Sequence, residues 1–227
     1  MKQLLLLLLL PIIAGCQSAT KQLIDFPEVI VFINVEQHQR TVSSGSGIII
    51  DVREKGDQNE VLVLTAKHVI DAPPVPGIEI FAEVLGGKYQ LTDIYPHPDQ
   101  DAALVVFTTT ADLHPAEIDF NIPKSLEEVV TAGYPLGMEL TVALGLTNYQ
   151  VANELGYDYL WLCTAPGYPG NSGGGIFDRD TRTLIGISLM VGGHPKGGLS
   201  IVVPHIHIFL PMCILDSWIS EVKHARA

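Results

Sequence analysis

Short apolar runs recur along the chain, separated by Gly, Pro and charged residues. They fall at about 29–35, 47–51, 61–65, 78–84, 102–108, 129–133, 141–146, 159–164, 175–177, 184–191 and 199–203. Most are five to eight residues long and rich in Val, Ile and Leu. That length and composition predict strands rather than helices. Many closely spaced strands with Gly and Pro turns imply an all-β sandwich or barrel. The stretch 111–124 is polar, contains Pro and has few strand formers. It is the natural boundary between an N-terminal half, about 28–110, and a C-terminal half, about 125–207. Beyond them, Leu210, Met212, Leu215, Trp218, Ile219 and Val222 recur at near-helical spacing. A C-terminal helix over about 208–223 is expected to pack on the body.

The N-terminal residues follow a different pattern. Lys2 precedes an unbroken Leu run, Leu4 to Leu10, and the apolar stretch ends at Ile13-Ala14-Gly15-Cys16. The stretch is shorter than the roughly 20 residues a spanning helix takes, and it reads as the apolar part of a secretory signal. Its ending resembles a bacterial lipobox. That resemblance implies a signal peptide over 1–15, acylation of Cys16 and a short tether, 16–27. Membrane attachment through lipid on Cys16 then follows, on the exported side of the bacterial cell envelope. Each buried CH₂ contributes about 0.8 kcal/mol, and stable anchoring takes more than one chain.

Composition narrows the function. Hydrophobic residues make up 47% of the 227 and charged residues 17%, which suits a packed core and excludes a disordered chain. A formal charge of −12 argues against nucleic acid or an anionic surface as a partner, because both need a basic patch. Cys163 and Cys213 sit in apolar runs. Export would permit a disulfide, but the runs favour unpaired core cysteines.

Three segments offer chemistry. Gly170-Asn171-Ser172-Gly173-Gly174 places a Ser in a Gly-rich turn whose backbone N–H groups can face one concavity. Leu64-Thr65-Ala66-Lys67-His68-Val69 places a His just after an apolar strand. His97-Pro98-Asp99-Gln100-Asp101 leads into the next run, so Asp101 lies against the core while Asp99 stays in the turn. Amide hydrolysis by a serine needs a base on the hydroxyl, an acceptor that orients the base, and donors for the oxyanion. Each segment supplies one part.

The order His68, Asp101, Ser172 resembles that of chymotrypsin-fold, trypsin-like serine proteases. The local sequences are closest to the bacterial HtrA/Deg-type protease domain without its PDZ module. Ser44-Gly45-Ser46-Gly47, Thr65 to Val69, Asp101-Ala102-Ala103-Leu104, Gly133-Tyr134-Pro135-Leu136-Gly137 and Thr164 to Gly174 carry the resemblance. So do Gly186-Ile187-Ser188 and Gly198 to Pro204. It implies two antiparallel six-stranded β-barrels with the triad in the cleft between them. Ser172 would be the nucleophile, His68 the general base and Asp101 its orienter. The N–H groups of Gly170 and Ser172 would form the oxyanion hole. Ser188, Leu189 and Met190 would bind a peptide as an added strand. Tyr168, Met190 and Ser200 would line the pocket for the residue before the scissile bond. No acid falls on those pocket positions, so a small or medium apolar preference is expected. The partners implied are protein or peptide substrates, with no cofactor.

The chain departs from the family in places. Gly175 stands where many members have Pro, Val69 replaces the Cys of digestive enzymes, and Asn171 replaces the Asp that holds a cleaved N-terminus. Activation by N-terminal cleavage is therefore not expected. One rival reading is the lipase-type Gly-x-Ser-x-Gly elbow, which needs a helix after the Ser; here Gly-Gly-Gly-Ile-Phe-Asp predicts a strand. A second is a catalytically inactive protease-fold lipoprotein serving as a binding or scaffold module. His205 and His207 share a strand face and could suggest a metal, as could Asp99-Gln100-Asp101. Neither has enough further ligands, so no metal is expected and the two histidines read as a polar strand face.

Overall fold

The computed structural model describes residues 26–71, 76–151, 159–196 and 199–226, and of 149–151, 190–196 and 199–205 the backbone alone. The expected signal segment and all of the tether before Phe26 lie outside these residues. The N-terminal half contains β1 (Ile30–Gln37), β2 (Arg40–Lys55), β3 (Gln58–Thr65), β4 (Ile78–Val84), β5 (Gly87–Gln90), β6 (Asp93–Pro96) and β7 (Ala103–Thr109). The C-terminal half contains β8 (Glu128–Gly133), β9 (Thr141–Val151), β10 (Leu160–Cys163), β11 (Gly175–Asp178), β12 (Leu184–Lys196) and β13 (Leu199–Pro211). Three α-helices lie among the described residues, α1 (Phe26–Val29), α2 (Lys67–Ile70) and α3 (Asp216–Ala225), with 3₁₀ turns at Pro135–Gly137 and Met212–Ile214.

The C-terminal strands close into a six-stranded barrel in the order β10-β13-β12-β11-β8-β9. The N-terminal strands form a seven-stranded sheet, β5-β4-β1-β2-β3-β7-β6, not the second six-stranded barrel expected. The reason is a bend at Leu91-Thr92, which divides one edge segment into β5 and β6. At that bend Leu91 donates to the Ile80 carbonyl on one side of the sheet, and Thr92 to the Val106 carbonyl on the other. The gap between the two edges is thus bridged by backbone hydrogen bonds rather than by a continuous strand. Gly87–Gln90 and Asp93–Pro96 are four residues each, mixed in character and partly or fully exposed, so they carry no apolar run by which to be recognised.

Strands that read as unbroken apolar runs are buried on both faces. In β7, Ala103 to Phe107 are all inaccessible to solvent, and in β2 the burial is continuous from Gly45 to Ile50. One core runs through both halves, from Ile30 and Leu64 to Leu210 and Met212. A smaller one, around Trp161, Ile176 and Phe209, fills the C-terminal barrel.

The terminal helix starts later than expected, because Ile208 to Pro211 extend β13 and Met212–Ile214 form a 3₁₀ turn. It buries Trp218, Ile219 and Val222. Lys223 Nζ donates to the Ile50 carbonyl at 3.0 Å, and Arg226 pairs with Glu60 at 2.6 Å. The helix follows the C-terminal barrel in sequence but docks on the N-terminal sheet, tying the halves together. None of the described helices is long and apolar enough to cross a membrane. Cys163 and Cys213 are both free, and burial pushes the Cys163 thiol up to about 11.

Candidate active site

His68 lies in α2, one turn beyond the end of β3, so a buried strand fixes its backbone. Asp101 precedes β7, which pairs with β3 along its length. That pairing carries Asp101 to His68. Its carboxylate accepts from the His68 backbone N–H at 2.9 Å through Oδ1 and meets ring Nδ1 at 2.7 Å through Oδ2. Asp99 is exposed in the turn; its backbone N–H donates to His97 Nδ1. Burial alone would raise the Asp101 pKa. The hydrogen bonds from the His68 ring and from the backbone N–H groups of His68 and Lys67 outweigh burial and hold it below the ordinary carboxylate value. An ionised carboxylate on Nδ1 keeps that nitrogen protonated and leaves Nε2 as the basic atom.

Ser172 sits between β10 and β11 in a loop stitched to both halves. Its carbonyl accepts from Ser46 N–H at 2.8 Å. The next residue, Gly173, donates to the Ser188 carbonyl at 2.7 Å, and Ser188 N–H donates back to Gly174 at 2.8 Å. His68, Asp101, Tyr168, Pro169, Ser172, Ser188 and Leu189 line one cavity of about 430 Å³. The Ser172 hydroxyl donates to the Leu189 carbonyl at 2.9 Å.

The loop carbonyls are tied back. Pro169 accepts from Leu136 N–H at 2.6 Å, Gly170 from the Ser46 hydroxyl at 2.8 Å, and Asn171 from Gly174 N–H at 2.8 Å. In a trans peptide the C=O and the following N–H point in opposite directions. Binding the Pro169 and Asn171 carbonyls therefore turns the N–H groups of Gly170 and Ser172 the other way. Neither donates to a backbone acceptor among the described residues, whereas Asn171 and Gly173 N–H both do. Gly170 adopts φ +96, and a Cβ there would lie 2.5 Å from the Tyr134 carbonyl oxygen and 2.7 Å from Leu136 N. Only glycine fits this turn.

Residues 45–187 match the trypsin-like peptidase domain. The chain belongs to the trypsin-like peptidase family. A solved structure described as the serine endoprotease from Yersinia pestis superposes with a TM-score of 0.64 at 19% identity, over 86% of this chain and 62% of that one. At that identity the likeness speaks for the fold, which is chymotrypsin-like. This chain spans about three fifths of that protease's length. No curated protein is detectably similar in sequence.

In this trypsin-like peptidase chain the expected site residues divide into those brought together and those not described. His68, Asp101, Ser172, Tyr168, Ser188 and Leu189 share the cavity. Met190 and Ser200 are described by backbone pairing, with Ile208 and Pro195 respectively; their side chains, and that of His205, lie outside the described residues. Beyond Ile187, β12 has no strand partner on its β11 side among the described residues, which leaves an edge open.

His207 corrects its sequence reading as part of a polar strand face. It is 1% exposed, with Nε2 2.5 Å from the Ser188 hydroxyl. The signal available was the apolar run that follows it, Ile208-Phe209-Leu210, which marks a strand segment covered on both faces. No metal-ligand cluster occurs among the described residues. Sequence reasoning also missed Ser46. Its hydroxyl accepts from Tyr134 N–H at 2.8 Å while donating to Gly170, and Thr65 Oγ1 donates to its carbonyl at 2.6 Å.

Proposed function

We propose that this chain is a serine endopeptidase acting through an acyl-enzyme on Ser172. The observation that carries the reading is the single cavity lined by His68, Asp101 and Ser172, with Asp101 holding His68 at two points. In the proposed cycle the Ser172 hydroxyl turns from the Leu189 carbonyl to His68 Nε2, loses its proton there and attacks the substrate carbonyl. The N–H groups of Gly170 and Ser172 receive the oxyanion. His68 then protonates the leaving amine, and water repeats the sequence on the acyl-enzyme. The open edge of β12 at Leu189 and Met190 takes the peptide as an added strand.

The second reading is an inactive binding or scaffold module. The hydrogen bond from Ser172 to Leu189 is the observation on its side, since it holds the hydroxyl away from the base. A fluorophosphonate probe separates the two. Labelling of the wild-type chain that vanishes in Ser172→Ala supports the endopeptidase. A folded wild type that takes no label overturns it.

We further propose attachment to the exported face of the bacterial envelope through lipid on Cys16. The lipobox-like Ile13-Ala14-Gly15-Cys16 supports this reading. Mass spectrometry of the mature N-terminus tests it: an acylated Cys16 is expected, and an intact Met1 or unmodified Gln17 terminus overturns it.

A further inference from the structure

Beside the nucleophile lies a polar pair that the hydrolytic chemistry leaves unused. Ser188 in β12 lines the cavity that holds His68 and Ser172. Its hydroxyl is paired with His207 Nε2 in β13 at 2.5 Å. Both side chains are buried, at 2% and 1% exposure. The other ring nitrogen of His207, Nδ1, is buried with no partner. Buried polar atoms without partners are uncommon and costly.

Counting protons shows what the pair lacks. Burial pushes His207 down to about 4, so the ring is neutral near pH 7 and carries one N–H. The hydroxyl carries one O–H. One hydrogen bond between the two groups uses one of these protons. If Ser188 donates to Nε2, the ring proton sits on Nδ1 and has no acceptor. If Nε2 donates to Ser188, the hydroxyl proton is left over on the cavity wall. In either tautomer one donor is unspent, and no carboxylate among the described residues hydrogen-bonds to either group.

We propose that Ser188 and His207 select the substrate residue on the acyl side of the scissile bond, and that this residue ends in a carbonyl oxygen, as Glu and Gln do. The inference rests on the endopeptidase reading and names its substrate class. It replaces the small or medium apolar preference expected from Tyr168, Met190 and Ser200. That expectation had no view of His207, which reaches Ser188 across two strands. With the ring proton on Nε2 and donated to Ser188, an acceptor entering the cavity takes the Ser188 hydroxyl proton, so its arrival favours that tautomer. An apolar side chain of similar length leaves that proton buried against hydrocarbon, and sites built around such a donor discriminate strongly against it.

Two measurements on the full-length chain in detergent test the proposal. Peptides identical except for Glu, Gln, Met, Ala or Lys at the acyl-side position are compared by kcat/KM. Glu or Gln is expected to exceed Met by about 10-fold or more, with the ratio collapsing toward one in Ser188→Ala and in His207→Leu. Glu far above Gln assigns a carboxylate, and near-equality a carboxamide-tolerant site. A wild type that favours Met or Ala, or an unchanged ratio in both variants, overturns the proposal. The second measurement is binding of the same peptides to Ser172→Ala by fluorescence anisotropy, which needs no turnover and no variant of the polar pair. The same ranking is expected, and equal binding of Glu, Gln and Met overturns the inference. Fluorophosphonate labelling of the wild type separates the two failures. A labelled enzyme with an apolar preference loses only this inference, and an unlabelled one loses the endopeptidase reading while the binding ranking still judges the pocket.

Discussion

The Ser46 hydroxyl, on β2 of the N-terminal sheet, donates to the carbonyl of Gly170 in the nucleophile loop of the C-terminal barrel at 2.8 Å. The same oxygen accepts from Tyr134 N–H, and Ser46 N–H holds the Ser172 carbonyl. One fully buried side chain thus joins the two halves where the loop turns. Ser46→Ala would leave the Gly170 carbonyl and the Tyr134 N–H, both in half-buried residues, without these partners. A loss of about 2–4 kcal/mol is expected in urea denaturation, with fluorophosphonate labelling of Ser172 slowed by about 10-fold or more, since each 1.4 kcal/mol of barrier is tenfold. Unchanged labelling in a folded variant would show that the loop holds its shape without Ser46.

Asp101→Asn keeps the size of the side chain and removes its charge. Its amide would present an N–H to Nδ1 and favour the tautomer with the proton on Nε2, where the base must be free. Peptidase activity is expected to fall about 10⁴-fold with little change in fold by circular dichroism. The depressed Asp101 pKa has its own consequence. The ionised form is favoured by folding, so its stabilisation is present above the unfolded pKa, near 3.8, and lost as pH falls through the lower folded value. Asp101→Asn should therefore narrow the stability difference between neutral pH and strong acid.

Two glycines with positive φ make a controlled comparison. Gly56, at φ +66 in the β2–β3 turn, has nothing within 4 Å of an added Cβ, whereas Gly170 would place one against the Tyr134 and Leu136 backbone. Gly56→Ala bears only the backbone strain and should cost about 1–2 kcal/mol. Gly170→Ala bears the strain and the contact, so it should cost more than Gly56→Ala and abolish labelling of Ser172. Equal costs in thermal unfolding would show that the loop moves freely away from Tyr134.

His207 sets a pH dependence of stability. Its folded pKa, about 4, lies below the ordinary 6.5, so the unfolded chain binds the extra proton first. The stabilisation is complete above about pH 6.5 and is lost progressively as pH falls toward 4. Between about pH 7 and 5 the loss should be about 2 kcal/mol. His207→Leu removes that loss; urea midpoints of both chains at the two pH values measure it. Parallel loss in the variant would assign the effect to another group.

Much of this protein is written locally in its sequence. Runs such as Val61–Thr65 and Ala103–Phe107 are apolar because both faces of the strand are covered, so a run read along the chain already reports burial. Gly170 and Gly173 mark a turn that other residues do not fit, and the order of His68, Asp101 and Ser172 is the order that resembles trypsin-like peptidases. What escaped depends on partners distant in the chain. The short, exposed segments of β5 and β6 become strands only because β4 and β7 offer them hydrogen bonds. The last residues of β13 read as helix because a helical repeat of apolar residues and an inward-facing strand look alike over one turn. Ser46 reaches Gly170 across 124 residues, and His207 finds Ser188 across 19. Sequence alone determined which residues are equipped for chemistry, because side-chain identity and backbone freedom are local properties. Tertiary structure alone decided how the loop carbonyls are tied back, where the Ser172 hydroxyl rests and which buried donor is left unspent, because a hydrogen bond depends on angles and distances that only the assembled barrel imposes.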